Sequence, residues 1–157
     1  MIQSSSAAGP IDALAAIVDE ELTICQRLEA LADAQTAALR EGALEDLAAI
    51  IAEQLALAEA LAAREQARRG LVAPGSTLAE LIEMWGAPAA SLKDRREALI
   101  AQVGRLRRAN ERNQALLAKL LRHQQDRLRL ALEERALYDG DGNARPTPVH
   151  GLVDRRV

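Results

Sequence analysis

The sequence predicts an all-α protein, an elongated antiparallel helical bundle or coiled coil of three long helices plus one short helix. Ala and Leu together supply more than a third of the 157 residues, while Phe is absent and Trp and Tyr occur once each. Ala and Leu, with Glu, Gln and Arg, enter helices at low cost, whereas strands draw on the β-branched and aromatic residues that are scarce here. Apolar residues also recur at alternating spacings of three and four, which is the pattern of a helix seam. A core of Ala and Leu lets helices approach closely but fills little volume, which suits a thin bundle better than a globule with a deep pocket.

The opening stretch MIQSSSAAG is small and polar, and residues 1–11 are expected to be disordered. A first helix is expected over about 12–40, with a seam of Leu14, Ile17, Glu21, Ile24, Leu28, Leu31, Gln35 and Ala38. Gly42 supplies a residue that closes helices in the left-handed conformation. A second helix, about 44–69, carries Leu44, Leu47, Ile50, Ile51, Leu55, Leu57 and Leu61 and ends at Gly70 after Arg68 and Arg69, whose charge suits a helix C-terminus. So short a connection favours an antiparallel hairpin, the alternative being one long kinked helix.

Residues 71–77 read as a loop. Thr77 with Glu80 forms a capping box that starts a short helix over 78–85, with Leu78, Leu81, Ile82 and Trp85 on one face, a lid or spacer between the longer rods. Gly86 and Pro88 stop it, and Ser91 with Asp94 is expected to cap a last helix over about 92–137, roughly 70 Å long at 1.5 Å per residue. Its seam reads Leu99, Val103, Leu106, Asn110, Asn113, Leu117, Leu120, Gln124 and Leu128. Residues 138–157, rich in Gly, Pro and Asp, are expected to form a flexible tail.

Charge is divided along the chain. Residues 1–66 hold 12 acidic and 3 basic side chains, and residues 92–136 hold 6 acidic and 12 basic. Attraction between an acidic hairpin and a basic last helix follows. The same acidic surface competes for Arg95, Arg96, Arg105, Arg107, Arg108 and Arg112, and no aromatics lie among them to stack bases, so nucleic acid is not an expected partner. No run approaches the ~20 apolar residues that span a bilayer, and the N-terminus lacks the pattern of a signal peptide, so the expected location is the cytoplasm without membrane insertion. The single Cys25 reads as a small buried apolar residue, in keeping with a reducing compartment.

Catalytic chemistry finds no foothold. No nucleophile triad, phosphate loop or metal motif is present, Asp19, Glu20 and Glu21 read as a solvated face, and His123 and His150 are too far apart in sequence to make a metal pair at helical spacing. The chain is therefore expected to be a non-enzyme without metal or cofactor. More informative are the amides among the leucines of the last helix. Asn110, Asn113 and Gln124 either fix the register between helices or mark a seam that takes another helix, with Leu116, Leu117, Leu120, Leu121, Leu128 and Leu132 as its apolar surface.

The stretch Asn110-Glu-Arg-Asn113-Gln-Ala-Leu116-Leu117, followed some twenty residues later by Tyr138-Asp-Gly-Asp-Gly142, resembles the FlgN-type flagellar export chaperones. The segments Arg40-Glu-Gly42-Ala-Leu-Glu-Asp-Leu47, Ala-Arg64-Glu-Gln-Ala-Arg68 and Thr77-Leu78-Ala-Glu-Leu81 match that family in order, so the resemblance covers roughly residues 12–142. It implies a cytoplasmic chaperone that binds the C-terminal helices of hook–filament junction proteins, prevents their premature assembly and delivers them to the flagellar export gate. The implied cargo surface lies on the last helix around Leu116, Leu117, Leu120, Leu121 and Leu128, and the implied gate contact is Tyr138. Residues 143–157 are assigned no role by the resemblance. The competing reading is a structural or self-assembling coiled-coil protein whose leucine seam is used up in a homodimer, and a phosphotransfer bundle centred on His123 is a third.

Overall fold

The computed structural model describes residues 8–137. The first seven residues of the expected disordered N-terminus, the expected tail 138–157 and Tyr138 lie outside the described residues. The fold is an all-α bundle of four helices: α1 (Ala8–Glu41), α2 (Leu44–Leu71), α3 (Leu78–Trp85) and α4 (Ala90–Leu137). The chain divides into two compact units, Met1–Leu116 and Leu117–Val157.

Helix α1 starts earlier than periodicity predicts. Pro10 sits in its first turn, where a missing N–H costs nothing, and Ile11 is buried in the core, so packing draws residues 8–11 into the helix. The buried line of α1 is Ile11, Leu14, Val18, Glu21, Cys25, Leu28, Ala32 and Leu39, with Gln35 half-buried between the last two. Gly42 adopts φ +71°, and the Ala43 N–H returns to the Ala38 carbonyl at 3.0 Å, closing α1 and reversing the chain. Helix α2 runs antiparallel to α1, as pairing of Glu21 with Arg68 near one end and of Gln35 with Gln54 toward the other requires. It passes through Gly70 and ends at Leu71, because the residue that leaves the helix is Val72, with extended φ −93° and ψ 135°.

Helix α3 has the expected capping box, with the Thr77 hydroxyl accepting from the Glu80 N–H and the Glu80 carboxylate accepting from the Thr77 N–H. It is neither lid nor spacer. Leu78, Leu81 and Ile82 are buried with Ile11, Leu14, Ala15 and Val18 of α1, Ala89, and Leu92 of α4, and Val72, Trp85 and Leu99 pack against this cluster. An eight-residue amphipathic helix that buries one whole face belongs to the core by physical necessity. Gly86, at φ +63°, breaks the chain after Trp85, and a 3₁₀ turn over Ala87–Ala89 containing Pro88 feeds α4 directly. Ser91 is therefore the second residue of α4 and not its cap, because the fixed φ of Pro88 already suits a helix start.

Within the first unit α4 runs parallel to α1. Arg95 meets Asp19, Gln102 meets Cys25 and Glu29, and Asn113 meets Ala32, so positions advance together along both helices. The arrangement is up, down, up for α1, α2 and the first part of α4. Arg95–Asp19 at 2.9 Å, Arg105–Glu29 at 3.5 Å and Arg112–Asp33 at 3.6 Å join the basic helix to acidic α1. Each pair is partly exposed and worth little alone, but together they orient the docking.

Candidate functional site

Two buried amides on α4 grip α1. Asn113 is 4% exposed and donates through Nδ2 to the Ala32 carbonyl at 2.7 Å and to Gln35 Oε1 at 3.2 Å, while its Oδ1 accepts from the Thr36 hydroxyl. Gln102 is 1% exposed and donates to the Cys25 carbonyl at 3.4 Å and to Glu29 Oε2 at 2.6 Å, and its own carbonyl oxygen accepts from Arg105. Every buried side-chain nitrogen and oxygen among the described residues has a partner. Amides so placed tie α4 to one register on α1, since a slip would leave them unpaired in a dry interface.

The predicted surface residues of the first unit thus separate. Asn113 turns inward, Leu116 is half-buried, and Asn110 is exposed. The inward line of α4 is Leu92, Leu99, Gln102, Leu106, Ala109 and Asn113, while Val103 and Asn110 stand one face over, with Arg107 and Gln114 beside them. That second face forms one wall of a groove whose other wall is α2. Ile51, Gln54, Leu55 and Ala58 oppose Leu106 and Asn110 above Leu28 in a cavity of about 280 Å³. A further cavity of about 280 Å³ follows, lined by Glu21, Cys25, Leu61, Glu65, Arg68, Leu99 and Val103.

In the second unit Leu117, Leu121, Leu128, Leu130 and Leu132 are all exposed, Leu120 is half-buried, and Gln124 is exposed. Arg129 reaches Asp126 and Glu133 at 3.9 and 3.8 Å. Exposed His123 lies among them without a neighbouring arrangement that would hold a metal. No group of three or more His, Cys, Asp or Glu side chains among the described residues could do so.

Sequence reasoning missed Gln102 and the pairing of Glu21 with Arg68. Arg68 Nε donates to both Glu21 oxygens at 3.0 Å, so this carboxylate belongs to the interior while Asp19 and Glu20 stay on the surface. A cavity of about 420 Å³ beside Thr77 is bordered by Arg68, Arg69 and the start of α3, but the Glu80 carboxylate already occupies that helix N-terminus and both arginines are paired. Nothing in the described geometry aligns a nucleophile with a base, and no helix among the described residues is long and apolar enough to cross a membrane.

Among the described residues the polar interior is thus satisfied, and a row of leucines on the second unit is exposed. The family profile of the FlgN protein matches residues 10–146. The chain belongs to the FlgN family. Membership makes it a flagellar export chaperone, in a family whose role is binding and not catalysis. No curated protein and no solved structure matches the chain.

Proposed function

We propose that this FlgN-family chain works in the cytoplasm, binds the C-terminal helices of hook–filament junction proteins, prevents their premature assembly and delivers them to the flagellar export gate. The observation that carries the reading is the uncovered row Leu117, Leu121, Leu128 and Leu132 in the second unit, with Leu120 and Gln124 among them. Apolar side chains at helical spacing, exposed to water, are the surface an amphipathic cargo helix covers. Asn110 and Leu116 are separate candidates within the first unit, where Asn113 holds α4 in register. Tyr138, an aromatic anchor of low conformational entropy, is the candidate gate contact.

Light scattering with size exclusion, in the presence and absence of a peptide from a junction protein's C-terminus, tests the assignment. The chaperone reading expects a complex of increased mass with the peptide. A tight dimer whose mass ignores the peptide would favour the self-assembling coiled coil instead. Tyr138→Ala is expected to keep cargo binding and lose capture by the export gate, and loss of cargo binding in that variant would move Tyr138 into the cargo site.

A further inference from the structure

The core of the first unit is unevenly owned. Its hydrophobic cluster is drawn from α1, α3, the 3₁₀ turn and α4, whereas α2 has no buried residue at all. Leu47, Ile50, Leu57 and Leu61 of α2 are half-buried, and Leu44, Ile51 and Leu55 are exposed. This 28-residue helix packs along α1 through half-buried side chains and contributes no fully buried one of its own.

Polar links between α2 and α1 are few. Arg27–Glu53 and Arg64–Glu20 are solvated pairs, and Gln54–Gln35 is a single amide contact at 3.2 Å. Only Arg68–Glu21 is sheltered. Both ends of α2 also carry pivots. Gly42 at φ +71° and Gly75 at φ +83° lie in the turn before it and the loop after it, and a Cβ at either would meet nothing within 4 Å.

We infer that α2 (Leu44–Leu71) swings off the α1–α3–α4 core as an intact helix under native conditions, with Arg68–Glu21 as its latch. When the latch opens, water reaches Glu21 as Arg68 leaves, so no charge is stranded in a dry site. The cluster shared by α1, α3 and α4 keeps all its residues, while Glu21, Cys25 and Leu28 of α1 become accessible to water.

Cys25 is the built-in reporter. It is the only cysteine, is 1% exposed, and lines the cavity roofed by Leu61, Glu65 and Arg68 of α2. Burial first, and the charge of Glu21 second, hold its thiol above the ordinary range, so the closed form is unreactive.

The test is the rate of Cys25 modification by dithionitrobenzoate in the full chain across low urea concentrations, beside global unfolding followed by circular dichroism. The expected opening constant exceeds the global one by at least about tenfold, with a urea slope well below the global slope. Arg68→Met raises the labelling rate about tenfold or more, whereas Ile82→Val, a mild core change, lowers global stability and leaves labelling unchanged. Hydrogen exchange shows the α2 amides opening together, ahead of those in α1 and α3. Labelling that follows the full global slope and responds to Ile82→Val overturns the inference. So does labelling indifferent to both urea and Arg68→Met, which would mean direct access through the cavity.

Discussion

Arg68 Nε lies 3.0 Å from each carboxylate oxygen of Glu21, whose side chain is 2% exposed while that of Arg68 is 23% exposed. One partner is interior and the other sits at the boundary. Removing Arg68 leaves a negative charge facing a half-apolar cavity. Removing both leaves a slot that apolar side chains can fill.

Arg68→Met is therefore expected to destabilise the fold by about 3 kcal/mol, the low end for breaking a buried pair because Arg68 itself keeps some water. The double variant Glu21→Met with Arg68→Met is expected to recover most of that loss. Urea midpoints of the wild type, Glu21→Met, Arg68→Met and the double variant give the coupling directly. A double variant as unstable as the sum of both singles would show that the pair has no coupling of its own.

Asn113 and Asn110 lie three residues apart on α4 and have opposite situations. Asn113 satisfies the Ala32 carbonyl, Gln35 and Thr36, whereas Asn110 is exposed. Asn113→Ala should cost about 1–3 kcal/mol through the acceptors it leaves unpaired, and Asn110→Ala less than about 0.5 kcal/mol. Equal effects in thermal or urea melts would remove the register role assigned to Asn113.

The same two helices explain how far the fold could be read from the chain. Helix number, order and the Thr77–Glu80 cap follow from composition and spacing, because those signals are local. On α1 the expected Leu14, Glu21, Leu28, Leu31 and Ala38 are buried and Ile17, Ile24 and Gln35 are half-buried, while Val18, Cys25 and Ala32, outside the expected seam, are buried beside them. On α4 the residues Gln102 and Ala109 are buried in place of Val103 and Asn110. A reading weighted by hydrophobicity picks the larger apolar neighbour, whereas closely packed helices admit the smaller one and satisfy amides across the gap. Leu31 and Ala38 are buried along with Ala32, since α1 is flanked on two sides. Nothing local announces Arg68 as the partner of a residue 47 positions away.

Cys25 brings a dependence on alkaline pH. Burial and the nearby Glu21 charge raise its folded value above the ordinary 9.0. A raised folded value means that the native state holds the proton more tightly than the unfolded chain does. The stabilisation is complete below the unfolded value and is lost as pH rises through it toward the folded one. The wild type should thus lose stability above about pH 9 relative to Cys25→Ala, with a constant difference between them near neutrality. Parallel curves of midpoint against pH up to about pH 10 would rule out the thiol as the source.

Leu121 and Leu128 are 55% and 62% exposed in the second unit, so a charge at either meets water and no packed neighbour is lost. Leu121→Asp and Leu128→Asp should each change folding stability by less than about 1 kcal/mol, arising mostly from the poorer helix propensity of Asp. Leu14→Ala, at a fully buried core position, should cost about 2–5 kcal/mol. If the leucine row takes a cargo helix, the ranking reverses for binding. Each Asp substitution places a charge against the apolar face of the partner and weakens the complex by at least about tenfold, or ~1.4 kcal/mol. Leu14→Ala leaves affinity unchanged wherever the protein remains folded. Calorimetric titration with the junction-protein peptide separates the two rankings. Full affinity in a Leu121→Asp, Leu128→Asp double variant would move the cargo surface off the second unit.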